Sequence, residues 1–182
     1  GLPGEESDKI IPCGKFLMDV NVGTKPDLTG KRVLVMGGGN VAMDVARAAV
    51  RLGAKTVTAA CREGRSIMPA WAWEVHAAED EGVRIVNLRT PKGFEETATG
   101  IKSKMALMVD NKDPRNFVED PSGDIWEEDF DLVIRSLGQL PSTDLFTGKE
   151  DGLEFGRADS LVVDPLTFET GLQGVFSGGD VK

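Results

Sequence analysis

The apolar positions of this chain change their period several times, and each change marks an element. Residues 32–36 (RVLVM) are apolar after the first, the pattern of a parallel strand buried on both faces. Residues 40–52 space Val41, Val45, Ala48, Ala49 and Leu52 by threes and fours, which makes one helix face, and Gly53 ends it in the usual place for glycine. Residues 56–61 (TVTAAC) predict a second strand, so residues 31–62 form a strand–helix–strand unit of crossover length. A loop (REGRSIMPA), an acid-rich helix ending at Gly82 and a strand over 83–88 follow. Beyond them the pattern shifts. Residues 92–96, 101–109 and 128–136 predict strands with no long helices between them, an antiparallel excursion turning near 97–100 and 110–123. Residues 131–136 are apolar enough to rejoin the main sheet, and 161–164 and 174–177 are expected as the last two strands. Residues 1–30 read as loop, apart from one or two helical turns in KFLMDVN. The expected fold is α/β, a parallel sheet with an antiparallel β excursion packed on it.

Composition narrows the partners. The 182 residues are 40% hydrophobic and 28% charged, the balance of a globular domain with a real core. A net charge of −9, from 21 basic and 30 acidic residues, argues against nucleic acid, whose phosphates reward clustered Lys and Arg. No apolar run approaches the ~20 residues needed to cross a bilayer, so no membrane partner is expected. Cys13 and Cys61 stand far apart with no CxxC pair, which offers no metal centre and fits a reducing, cytoplasmic setting. Cys61 falls in an apolar strand and is expected in the core. His76 is the single histidine, and a helix-surface place is expected for it rather than a catalytic triad.

The candidate chemistry sits where the first strand meets its helix, in VLVMGGGNVAMD. Gly37-x-Gly39-x-x-Ala42 is a glycine-rich phosphate turn. Gly37 permits the turn out of the strand, Gly39 lets a pyrophosphate approach the backbone, and the small Ala42 lets the helix pack close. With Gly38, Asn40 and Val41 these residues are the candidate pyrophosphate cradle of a Rossmann-like domain, since the first N–H groups and the dipole of a helix favour an anion. The residue choosing the nucleotide belongs at the end of the second strand. Twenty positions after Ala42 stands Arg62, and Arg65 follows; two guanidinium groups suit the 2′-phosphate of NADP(H). Were the register one residue off, Glu63 would serve instead as an NAD-type acid on the ribose.

These residues carry a family resemblance. GKRVLVMGGGNVAMDVARAAVRLGAKTVT, CREGRSIMPA and EVHAAEDEGV together resemble the NADPH-binding domain of the glutamate synthase small (beta) subunit family of pyridine-nucleotide/FAD oxidoreductases. The family's GGGN-x-A-x-D run matches Gly37, Gly38, Gly39, Asn40, Ala42 and Asp44; its Arg-rich loop matches Arg62, Arg65, Met68 and Pro69, and its later Glu matches Glu74. One departure is that the family commonly has a second Arg where this chain has Glu63. SLGQLPS resembles the family's IGQ-x-P turn, which implies that Gly138 and Gln139 lie beside the dinucleotide. The VFSGGD segment resembles the second FAD fingerprint, which implies that Gly179 and Asp180 meet the flavin, Asp180 at its ribityl chain.

The resemblance implies a division into residues 1–30 as a connection from a FAD domain, 31–164 as the NADP(H)-binding domain and 165–182 as a stub returning to the FAD domain. The chain holds one glycine-rich strand–helix–strand unit, and a FAD site needs its own. The expectation is therefore an NADP(H) domain of a longer flavoprotein, which delivers hydride from NADPH to FAD and thence to an iron–sulfur or synthase large subunit. The chain by itself is expected not to turn over, and no catalytic side chain is expected, because the cofactors carry hydride chemistry. The alternative function is a non-catalytic NAD(P)-sensing or subunit-contact module.

Overall fold

A computed structural model describes residues 1–138, 152–156 and 159–181. Two compact units are present, Gly1–Leu137 and Gly138–Lys182. In the first unit the strands β1 (Ile10–Pro12), β2 (Arg32–Met36), β3 (Thr56–Ala60), β4 (Arg84–Val86), β5 (Arg89–Thr97), β6 (Gly100–Leu107), β7 (Ile125–Phe130) and β8 (Leu132–Arg135) are joined by the helices α1 (Cys13–Val22), α2 (Asn40–Arg51) and α3 (Ala72–Asp80). A five-stranded parallel sheet has the order β1-β8-β2-β3-β4, and β5-β6-β7 form a separate antiparallel sheet.

Alternation along β2 divides the core in two. Val33 and Val35 point to one face, where Phe16 of α1, Met43, Val45, Ala46 and Ala49 of α2 and Val75 and Ala78 of α3 bury them. Leu34 and Met36 point to the other, against Phe94, Ile101, Met105 and Phe130 of the antiparallel sheet. A strand buried on both faces must be apolar at successive positions, which is why RVLVM carries no polar alternation.

The helices and the strands of the crossover unit lie where the sequence predicts them, within a residue or two. Three expectations differ. Residues 1–30 hold more than loop. Residues 10–12 pair in parallel with β8, α1 is longer than expected, and Phe16 and Leu28 are fully buried. The single strand expected over 128–136 is two, which separate at Asp131 as the chain leaves one sheet for the other. In the second unit the strands expected over 161–164 and 174–177 are single bridges, Phe155 to Leu161 and Glu169 to Phe176. Asp164 there accepts the amides of Leu166 and Thr167, both at 2.8 Å, and the Thr170 hydroxyl bonds to the Val175 carbonyl at 3.0 Å. Such local side-chain bonds favour turns over ladders.

The change of sheet at Asp131 is fixed by Arg32. The Asp131 carboxylate accepts the Arg32 amide (2.7 Å), Nε (3.2 Å) and Nη2 (2.9 Å), and the Asp131 amide donates to the Arg32 carbonyl (2.8 Å). The Arg32 guanidinium holds this carboxyl below its ordinary range, while partial burial opposes the shift. A carboxyl depressed by folding stabilises above its unfolded pKa and loses that contribution as pH falls through the folded value. Asp131→Ala is therefore expected to cost about 1–2 kcal/mol at neutral pH, the value of charged hydrogen bonds discounted for a partly exposed pair. Urea denaturation of the two proteins should show that difference shrinking as the pH is taken well below 4, the ordinary range of an Asp carboxyl (about 3.9).

Candidate functional site

The glycine turn leaves the carboxyl end of β2 between β8 on one side and β3 on the other. The chain moves from β2 through α2 to β3, whereas β8 lies on the opposite flank, so β2 and β8 bracket the switch point of the sheet. Ligands of open α/β sheets bind outside the carboxyl ends of the strands at this place.

Each residue of the turn has a separate reason to be what it is. Gly37 has φ +136°, and a Cβ on it would stand 2.2 Å from the Ser136 carbonyl oxygen at the end of β8. No side chain fits there. A Cβ on Gly38 would meet the Cys61 Cβ at 2.9 Å and the Glu63 Oε2 at 3.3 Å. Gly39 is different: its backbone is extended at φ −89°, and a Cβ would meet nothing within 4 Å. Packing does not demand glycine at 39, and the space above it is open. Gly39 is also the N-cap of α2, which no side chain caps; its carbonyl accepts the Ala42 amide at 3.0 Å, and the helix amides before Ala42 have no intrahelical acceptor. Ala42 is fully buried, as close packing of α2 on β2 requires, and Val41 is exposed.

Asn40 has a structural task as well. Its Oδ1 accepts the Trp71 amide at 2.9 Å, and the Gly38 carbonyl accepts the Ala70 amide at 2.9 Å. The loop before α3 is thus tied to the turn, and the Asn40 side chain is engaged by the protein. Glu74, matched by resemblance alone, pairs with Arg47 at 3.1 Å; Glu81 accepts Arg47 Nε at 2.8 Å and Arg51 Nε at 2.9 Å. These ion pairs clamp α3 to α2.

The two arginines stand just beyond β3. Arg62 lies with 55% of its side chain exposed, its guanidinium 3.9 Å above the Phe117 ring and its Nε 3.3 Å from the Glu63 Oε1. Arg65 opens a 3-10 turn and is held by both oxygens of Glu79, at 2.8 and 2.7 Å. Each raises or lowers the other's pKa in the sense of a stable pair: Arg65 goes up and Glu79 goes down, by their mutual hydrogen bonds. Both arginines expected at a 2′-phosphate therefore have carboxylate partners within the chain. Sequence reasoning could not see the Glu79 partner, which lies 14 residues away on α3.

Cys61 is buried beneath the turn, as expected of a core thiol, with its pKa pushed up to about 12 by burial and then by the Glu63 charge. It is a poor nucleophile there. His76 is exposed on α3. No cluster of metal-ligating residues occurs among the described residues, and no described helix is long and apolar enough to cross a membrane. Gly138 opens the second unit with φ +97°, and Gly179, φ +70°, begins a 3-10 turn through Val181. A Cβ on Gly178 or Gly179 would meet nothing within 4 Å. Gln139 and the side chain of Asp180 lie outside the described residues.

Comparison with known proteins agrees with this fold. The sequence profile of the pyridine nucleotide-disulphide oxidoreductases matches residues 1–182. The chain is 37% identical over 188 residues to the NADP(+)-dependent formate dehydrogenase subunit beta of Moorella thermoacetica, covering 100% of this chain and 26% of that protein. It is 36% identical over 155 residues to the glutamate synthase [NADPH] small chain of Azospirillum brasilense, covering 84% of this chain and 32% of that one. The chain thus spans a third or less of the length of these relatives. Among solved structures, T. acidophilum thioredoxin reductase shares the fold with a TM-score of 0.75 at 19% identity, over 100% of this chain and 53% of that one.

The contrast between Gly37 and Gly39 yields a test of the turn's architecture. Gly37→Ala is expected to cost at least about 2–3 kcal/mol, from backbone strain and from the clash with Ser136. Gly39→Val, in extended backbone and open space, should stay within about 1 kcal/mol of the unaltered protein. Thermal denaturation of both variants measures the difference.

Proposed function

Because the chain belongs to the pyridine nucleotide-disulphide oxidoreductase family, we propose that it is the NADP(H)-binding part of a flavin-dependent oxidoreductase, delivering hydride from NADPH to FAD for onward electron transfer. The observation that carries this reading is the open space over Gly39, at the uncapped start of α2 and at the switch point of the sheet. The glycine that packing does not require stands where a pyrophosphate would approach the backbone.

The amides at the start of α2 hold the pyrophosphate, and the buried Ala42 keeps that helix end close to β2. Arg62, exposed and near the end of β3, meets the 2′-phosphate, with Arg65 as the second cation of the loop. In the second unit, the open backbone at Gly178 and Gly179 suits close approach of a second ligand, which the resemblance assigns to FAD with Asp180 on its ribityl chain. When bound, the nicotinamide and the flavin supply the redox chemistry themselves, so the side chains of this chain bind, orient and exclude water. The names of the relatives, a beta subunit of formate dehydrogenase and a small chain of glutamate synthase, support a partner subunit; a FAD domain in the same parent chain and an iron–sulfur or synthase large subunit as electron acceptor are what the resemblance implies.

Calorimetric titration with NADPH tests this reading. Saturable binding is expected for the unaltered protein and is lost in Gly39→Val, which keeps its fold. Arg62→Ala should weaken NADPH by roughly ten- to a hundredfold, the worth of one hydrogen bond to a charged group. Unchanged NADPH affinity in Gly39→Val would refute the pyrophosphate assignment.

A further inference from the structure

The loop after β3 is held from the side of the antiparallel sheet. The Leu88 amide donates to the Glu63 carbonyl at 3.3 Å, and the Met108 amide donates to the Leu88 carbonyl at 2.9 Å. The Val109 amide then donates to the Val118 carbonyl at 2.9 Å, which closes the connection between β6 and β7 on itself. At Gly64 this connection comes so near that a Cβ would stand 2.5 Å from the Asp110 Oδ1. The path sets Phe117, directly before Val118, against Arg62, with the centroid of its ring 3.9 Å from the guanidinium carbon. Phe117 is itself partly buried.

Arg62 has little else to hold it. Its side chain is 55% exposed, and Glu63 takes its Nε at 3.3 Å. Among the described residues, its Nη1 and Nη2 have no acceptor. An Arg side chain that is free to rotate has a large rotamer entropy, part of which is lost when it binds an anion. An aromatic face attracts the guanidinium through its quadrupole and restricts it, and it makes no claim on the N–H edges. A carboxylate in the same place would take those edges, as Glu79 does with Arg65. We propose that Phe117 is a positioning residue, which holds the Arg62 guanidinium ready for the 2′-phosphate of NADPH. The connection between β6 and β7 thereby takes part in the choice of nucleotide, although it lies outside the strand–helix–strand unit that carries the glycine turn. The inference rests on the reading of Arg62 as the contact to the 2′-phosphate.

Calorimetric titration of the full protein with NADPH tests it. Phe117→Leu keeps apolar bulk and removes the ring, and it should weaken NADPH by about three- to tenfold, the cost of ordering one long side chain. Phe117→Met serves in its place should the leucine variant not fold. Phe117→Tyr keeps the ring and should bind NADPH within about twofold of the unaltered protein. In an Arg62→Ala background, Phe117→Leu should change the affinity by less than about twofold, because no guanidinium is left to position. A loss below threefold in Phe117→Leu, where Arg62→Ala does weaken NADPH, overturns the role of Phe117 alone. The same loss with and without Arg62, or a tyrosine variant as weak as the leucine one, assigns Phe117 a merely structural part and overturns the proposal too. NADPH affinity unchanged in Arg62→Ala overturns the 2′-phosphate reading, and the role of Phe117 falls with it.

Discussion

The site depends on one close approach, the backbone of Gly37 against the Ser136 carbonyl. A Cβ there would come within 2.2 Å of that oxygen. The contact joins the ends of β2 and β8, which are adjacent in the sheet but separated by nearly a hundred residues of chain. It brings the turn down between the two strand ends and aims the start of α2 across them. The Ser136 amide donates to the Met36 carbonyl at 2.8 Å, so the ladder is continuous to the edge of the turn. A ligand cradle needs exposed amides held rigidly, and the approach supplies the rigidity without a side chain to fill the space.

That geometry requires β8 to reach its place, and β8 follows an entire second sheet. The excursion through β5, β6 and β7 covers the face of the parallel sheet that the helices leave bare, with Phe94, Ile101, Met105 and Phe130 set against Leu34 and Met36. Asp131 then hands the chain back, held by three bonds to Arg32 at the opposite end of β2 from the glycine turn. β2 is thus fixed at both ends by residues of the returning strand, at Arg32 by charge and at Gly37 by close packing.

The elements most legible in the sequence are those whose cause is local. A two-sided apolar run, a threefold–fourfold helix face and a glycine stop specify β2, α2 and the turn without knowledge of neighbours. Residues 10–12 (IIP) were not legible as a strand, because three residues ending in proline show no period, and their pairing is a property of β8. The break at Asp131 was hidden because both halves of 128–136 favour extended backbone, and the partner fixing the break lies 99 residues away. Within the site, the glycines and Ala42 were legible through the conformations that they permit. The surroundings of Arg62 and Arg65 were not, since Phe117, Glu79 and the burial of Glu63 are set by the folding of the β6–β7 loop and of α3.

Those surroundings change what an arginine pair after the second strand of such a unit means. Counted along the sequence, two cations stand ready for a phosphate. In the fold, Arg65 gives Nη1 and Nη2 to the two oxygens of Glu79, a bidentate geometry that a phosphate would otherwise claim. Arg62 keeps much of its surface in water, and the Phe117 ring supports its guanidinium face without competing for its hydrogen bonds. A stacked cation with open edges is already close to the arrangement a bound anion needs, whereas a fork closed on a carboxylate must first be opened. The two arginines are therefore unequal: Arg62 is the more open to an anion, and Arg65 is closed on Glu79.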